Sequence, residues 1–358
     1  SGYATEISFG SYERVDPRGL ESGARNLEAQ RLSHRERIEA CLSSMIKDRP
    51  PVALWRHFPV DDQTPDDLAA ATIAFQQAYD FDLVKVTPAS SFCLRDWGVQ
   101  DKWNGVTEGT RDYTRRRIHT ADDWLKLNVL DPYQGQLAAQ LSCLNMVCRS
   151  IDDRTPVVQT IFNPLAQAKN LAGGQTLLAH LRQFPEAVKA GLQIIVASTQ
   201  LFIEAAMKMG IAGIFYAVQH ANYHMLSENE YLEFGKGPDL QVLETAESLW
   251  LNMLHLHGEN IMFDIFGEYP VAVINWHDRD TPPSLSDALA KTSTVLCGGL
   301  QREKTMVLGT PEQVIAEARD ALVTTGGERI ILGTGCVLPI TAPRANIMAA
   351  RRSVDLAV

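Results

Sequence analysis

The 358 residues carry 45% apolar and 21% charged side chains, enough for the core of one large domain or two average ones. A net charge of −10 and a pI near 5.4 argue against a nucleic-acid or anionic-membrane role. No run approaches the roughly 18 apolar residues of a membrane span, no signal peptide opens the chain, and six scattered cysteines make no disulfide scaffold, so a reducing cytoplasm is the expected compartment.

Residues 1–30 mix Gly, Ser, Arg and Glu without periodicity and read as a loosely held N-terminal arm, leaving 31–358 as one domain. Ser33-His34-Arg35-Glu36 has the spacing of a capping box and predicts a helix through Met45. Pro50-Pro51 stops it, and 52–56 reads as a first buried strand ending in Arg56. A helix over 66–79 leads to a second strand over 82–88. Residues 89–150 are less regular: Trp97, Trp103 and Asn104-Gly105 predict an inserted loop or hairpin, and 121–150 holds two helices. A third strand over 156–162, a long helical region over 177–209 broken near Pro185, and a fourth strand over 211–217 follow. Residues 229–250 lead through a helix into the fifth strand, which ends in His255-Leu256-His257-Gly258. The sixth strand covers 271–276, the seventh 294–297 before Gly298-Gly299, and the eighth 329–335 before Cys336. Thr310-Pro311 opens the helix between the last two with an N-cap threonine and an N1 proline.

Eight strands with helices between them predict a closed (β/α)8 barrel. An open doubly wound sheet is the alternative, but no Gly-x-Gly-x-x-Gly follows the first strand. In a barrel, functional residues lie where strands end. Those positions carry Arg56, Thr87, Asn163, His220, His255, His257, Asn275, His277, Gly298-Gly299 and Cys336. Two imidazoles and a thiolate, His255, His257 and Cys336, make a three-ligand zinc set with a fourth position left for substrate. Each alone reads as readily as a hydrogen-bonded loop histidine or a small buried hydrophobe.

Cys297-Gly298-Gly299-Leu300, Gly309-Thr310-Pro311-Glu312, Gly333-Thr334-Gly335-Cys336-Val337-Leu338-Pro339 and Thr341-Ala342-Pro343-Arg344-Ala345-Asn346-Ile347 resemble the uroporphyrinogen decarboxylase superfamily. That superfamily holds tetrapyrrole decarboxylases and zinc-dependent, corrinoid-linked methyltransferases, and the resemblance implies a barrel of the kind already inferred. The decarboxylase pattern is met at Arg56, one of two first-strand arginines that hold carboxylates. It is not met at Val60, Thr87-Pro88-Ala89, Asn170, Ala221 or Cys336. The methyltransferase pattern, His-x-Cys-Gly with a distant Gly-Cys, is closer. Here His257 replaces the first cysteine, which removes a negative charge from the metal and hardens it. With His277 and Asp278 nearby, an oxygen-rich or hydrolytic metal site is a further reading.

Three functions follow as expectations. The first is methyl transfer to or from a small thiol at zinc, with Arg56 holding an anionic substrate group. His220 and His277 would serve as catalytic histidines, and Thr87, Asn163, Asn275, Gly298 and Gly299 would line the substrate. No Asp-x-His-x-x-Gly segment is present, so a corrinoid would arrive on a separate protein. The second is decarboxylation of uroporphyrinogen or another carboxylic acid, with Arg56 as anchor and a histidine as general acid. The third is a non-catalytic small-molecule binding protein on a shared fold. The resemblance also implies pairing into a homodimer.

Overall fold

The structure, a computed structural model, describes residues 31–356, so the expected arm over 1–30 lies outside the described residues. Among them, seven parallel strands form one sheet. In spatial order these are β1 (Val84–Val86), β4 (Val157–Phe162), β5 (Gly213–Val218), β6 (Met253–Leu256), β7 (Val273–Trp276), β8 (Val295–Leu300) and β9 (Ile330–Thr334). Spatial order follows chain order, so each helical connection returns the chain to the next place in a curling TIM-like sheet.

The first expected strand needs correction. Residues 51–55 bridge the two edges of the sheet, but only Val52 makes a ladder-type bridge, with Leu332. Ala53 N–H donates to Leu332 O (2.9 Å), Leu332 N–H to Pro51 O (2.8 Å) and Asp82 N–H to Val52 O (2.9 Å). Pro51 has no N–H, so the segment cannot sustain a regular ladder from its start. It still fills the eighth place.

Both faces of the sheet are buried, and the two faces have different neighbours. Ala53, Trp55, Leu83, Val158, Phe215, Met253, Val273, Val295, Cys297 and Ile331 form the barrel interior. Val52, Leu54, Val84, Val86, Ile214, Tyr216, Leu254, Ile274, Leu296 and Leu332 face the helical layer. Residue parity therefore decides whether a side chain reaches the barrel's inside.

Helix starts follow local chemistry. Ser33 and Glu36 form the expected capping box ahead of His34–Leu42, and Thr310 and Gln313 form another ahead of Pro311–Thr325. The region after β4 holds an unforeseen helix, Pro164–Ala172, before Gly174–Gln183 and Pro185–Met207. Pro185–Met207 is the one described helix long and apolar enough to cross a membrane. Here Val188, Leu192, Ile195, Val196, Phe202 and Ile203 pack it into the core.

The inserted segment after β1 forms the expected hairpin, β2 (Gln100–Lys102) with β3 (Asp112–Arg115). Its loop covers the end of the barrel where the strands finish. Thr107 O accepts from Ile340 N–H (2.8 Å), and Glu108 pairs with Arg302. Gly109, at φ +80°, lies so close to His57 that a Cβ would stand 2.5 Å from the histidine Cβ.

Candidate metal centre

β6 presents His255 into the barrel, and the chain past its end adds His257, whose N–H still donates to Val218 O on β5 (2.9 Å). His277 follows β7, and Cys336 follows β9. Their ligand atoms all lie within 4.8 Å of one another. Cys336 Sγ is 3.6 Å from His255 Nε2 and 3.6 Å from His257 Nδ1. Zn–S and Zn–N bonds of about 2.3 and 2.05 Å at a tetrahedral angle give an edge of about 3.6 Å, so the spacing fits zinc. The buried Nε2 of His277 has no hydrogen-bond partner among the described residues, as suits a ligand atom facing a cation.

Gly335 makes the approach possible. A Cβ there would stand 2.5 Å from Trp276 O and 2.6 Å from His277 Cα, so only glycine lets Cys336 come alongside His277.

Asn275 fixes the nearest imidazole. Its Nδ2 donates to Cys297 O (2.9 Å) and Thr334 O (3.1 Å), which turns its Oδ1 towards His255 Nδ1 (2.7 Å). The ring must then carry its proton on Nδ1 and offer the Nε2 lone pair to the centre. Phe215 stacks on the same ring at 5.4 Å.

Burial pushes the Cys336 thiol up, but without a metal the charge of a protonated His255 ring, and the hydrogen bonds that protonated His255, His257 and His277 rings give, outweigh it. They hold the thiol well below its usual value. Burial lowers His255, while for His257 the bond and charge of Cys336 overcome burial and raise it. The three imidazoles thus favour the thiolate form of Cys336, the form that binds a cation.

The other expected site residues divide. Thr87 Oγ1 accepts from the buried Lys85 Nζ (3.1 Å). His220 is buried with both ring nitrogens unpartnered among the described residues. Burial, then the charges of Lys169 and His257, lower it to about 4, so it is a neutral imidazole beside the cluster.

Arg56 has the parity of Leu54 and points into the helical layer. Its guanidinium lies over Phe58 (5.1 Å) and Phe75 (5.6 Å), and Nη1 donates to Ile340 O (3.2 Å). It is not brought to the His/Cys cluster. Asn163 Oδ1 accepts from Ala166 N–H (3.0 Å) as a helix cap, and its Nδ2 donates to Asp239 (3.1 Å), so packing uses both ends. Gly298 and Gly299 lie within β8, not after it, and pack against Asp278, whose carboxylate accepts from Gly299 N–H (3.1 Å). Asn275 spends its amide on His255 Nδ1, Cys297 O and Thr334 O.

Two groups escaped the sequence reading. Lys85 lies inside the barrel over Phe215 (4.5 Å), and the buried His57 is close enough to feel its charge. Val84 and Val86 on either side face the helical layer, which turns Lys85 inward.

A parallel barrel with a histidine–cysteine cluster at the end where its strands finish defines the class. The chain belongs to the uroporphyrinogen decarboxylase (URO-D) family, which it matches over residues 36–355. A methyltransferase from Methanosarcina mazei superposes with a TM-score of 0.81 at 15% identity, covering 91% of this chain and 99% of that one. A B12-independent methionine synthase from Shewanella sp. W3-18-1 is more distant, with a TM-score of 0.52 at 13% identity and coverage of 86% and 92%. A putative vitamin-B12 independent methionine synthase from Listeria monocytogenes gives 0.53 at 11% identity, covering 86% and 95%. No curated protein matches the sequence. At these identities the likeness is one of fold.

Proposed function

We propose that the chain is a zinc-dependent methyltransferase that moves a methyl group to or from a small thiol. The observation that carries this reading is a cysteine and three histidines whose ligand atoms lie within 4.8 Å of one another, with Cys336 Sγ at a tetrahedral spacing of 3.6 Å from two of the rings. The fold shared with the Methanosarcina mazei methyltransferase supports it. His255, His257, His277 and Cys336 would hold the ion, four ligands where the sequence pointed to three. Zinc bound there supplies Lewis acidity that lowers the pKa of an incoming thiol.

The protein's own groups prepare that chemistry. Cys336 gives the centre one negative charge against the two positive charges of zinc, so an anionic sulfur is favoured over a neutral one. Asn275 holds His255 in one tautomer, and the ring of Phe215 stacked on it keeps water from that side. The thiolate sulfur would attack the methyl carbon while the carrier keeps the bonding pair. A corrinoid carrier would come on a partner protein. Arg56 is turned away from the cluster, so it does not supply there the carboxylate anchor that the decarboxylase reading assigned to it.

Incubation of the zinc-loaded chain with a methylated corrinoid and a panel of small thiols tests this. A methyl thioether that forms only with zinc and vanishes in Cys336→Ala is expected. No thioether from any thiol, with carbon dioxide released from a carboxylate by metal-free protein, would overturn it.

A further inference from the structure

Lys85 occupies β1, and its neighbour Leu83 belongs to the barrel interior while Val84 and Val86 face outward. The ammonium is therefore carried inside the barrel, 7% exposed. No carboxylate pairs with it among the described residues. One of its three N–H groups donates to Thr87 Oγ1 (3.1 Å), and its Nζ stands 4.5 Å from the Phe215 ring centre and 5.9 Å from that of Trp55. A buried ammonium with one hydrogen bond is costly unless something brings the opposite charge.

Its neighbours lack partners too. Trp55 is 2% exposed and its Nε1, which can only donate, has no acceptor among the described residues. His57 is 8% exposed with Nδ1 likewise unpaired. Trp55 and Phe215 meet edge to face at 5.2 Å, and Phe215 stacks on His255. The unpaired Trp55 indole and the His/Cys cluster thus share one aromatic wall.

We propose that Lys85, with Trp55 Nε1 and the His57 ring, forms an anion subsite that holds a carboxylate of the substrate beside the metal centre. One lysine balances one charge, so a singly charged carboxylate fits where a phosphate dianion would leave a buried charge uncompensated. The ammonium gives the charge-assisted bond, the indole a second donor, and Thr87 aims the lysine. Burial pushes the Lys85 ammonium down to about 7, and an arriving carboxylate offsets that by restoring a counter-charge. Lys85 takes the anion-holding part that the sequence reading gave to Arg56. The subsite rests on the methyl-transfer reading only for what the carboxylate is attached to.

Binding alone tests it, without turnover. Propionate and its neutral isostere propionamide are titrated into the full chain, with and without zinc, and followed by saturation-transfer NMR. Propionate should bind at least tenfold more tightly than propionamide in both forms, and Lys85→Met should abolish the preference. Thr87→Val, which leaves the charge but frees the lysine, should weaken it by a smaller factor. Equal binding of the two probes to the unaltered chain overturns the proposal. So does a preference that survives in Lys85→Met, which would place the anion elsewhere, on the metal if it requires zinc. Failed methyl transfer with this selectivity intact would count against the proposed activity and leave the subsite standing.

Discussion

Replacing Asn275 by alanine separates the two tasks of that side chain. His255 Nδ1–H loses its acceptor, and the ring is free to rotate or exchange tautomers. Loss of such an orienting partner costs about 10–100-fold in metal affinity. Two buried carbonyls, Cys297 O and Thr334 O, lose their donor as well. At about 1–3 kcal/mol each, the metal-free protein should be destabilised by about 2–6 kcal/mol. Asn275→Asp distinguishes the effects, because it keeps an acceptor for His255 but offers no N–H to the carbonyls. Competition for zinc with a chromophoric chelator, alongside urea unfolding of metal-free protein, reads both quantities. Asn275→Ala should lose affinity and stability together, while Asn275→Asp should lose stability and keep zinc affinity within about tenfold. A folded Asn275→Ala protein that binds zinc as tightly as the parent would refute the argument.

Gly335→Ala should cost about 1–3 kcal/mol and lower zinc content, since its Cβ would press on Trp276 O and His277 Cα; metal analysis and thermal unfolding check this. Lys85→Met should stabilise the chain at pH 7 by on the order of 4 kcal/mol, by removing a buried amine that burial lowers to about 7. Because the folded value lies below the unfolded one, the parent recovers that stability as pH rises from about 7 towards 10.5, so urea curves of the two proteins should converge there. Asp239 is buried and, despite hydrogen bonds from Tyr216, Tyr231, Tyr269 and Asn163, raised by burial to about 6. Its stabilising contribution is full below about pH 4 and lost as pH rises through 6, a change of about 3 kcal/mol that Asp239→Asn should not show.

The barrel and the end at which its site lies were legible because buried parallel strands read as short apolar runs, each ending in a polar residue. His255, His257 and Cys336 converge as that rule implies. Facing was not legible. A strand buried on both sides shows no polar alternation, so nothing in 52–56 or 82–88 told that Arg56 points out and Lys85 in. That His277 joins the cluster depends on how closely the chain passes at Gly335, a matter of backbone packing that spacing does not encode. Asn163 had a readable signal that was overlooked, since Asn before Pro at a strand end is an N-cap followed by an N1 proline.

X-ray absorption at the zinc edge of protein purified without added metal tests the central claim most directly. The account predicts one zinc per chain, bound by one sulfur and three imidazole nitrogens, with sulfur lost in Cys336→Ser. Protein free of zinc, or zinc with no sulfur in its shell, would contradict it.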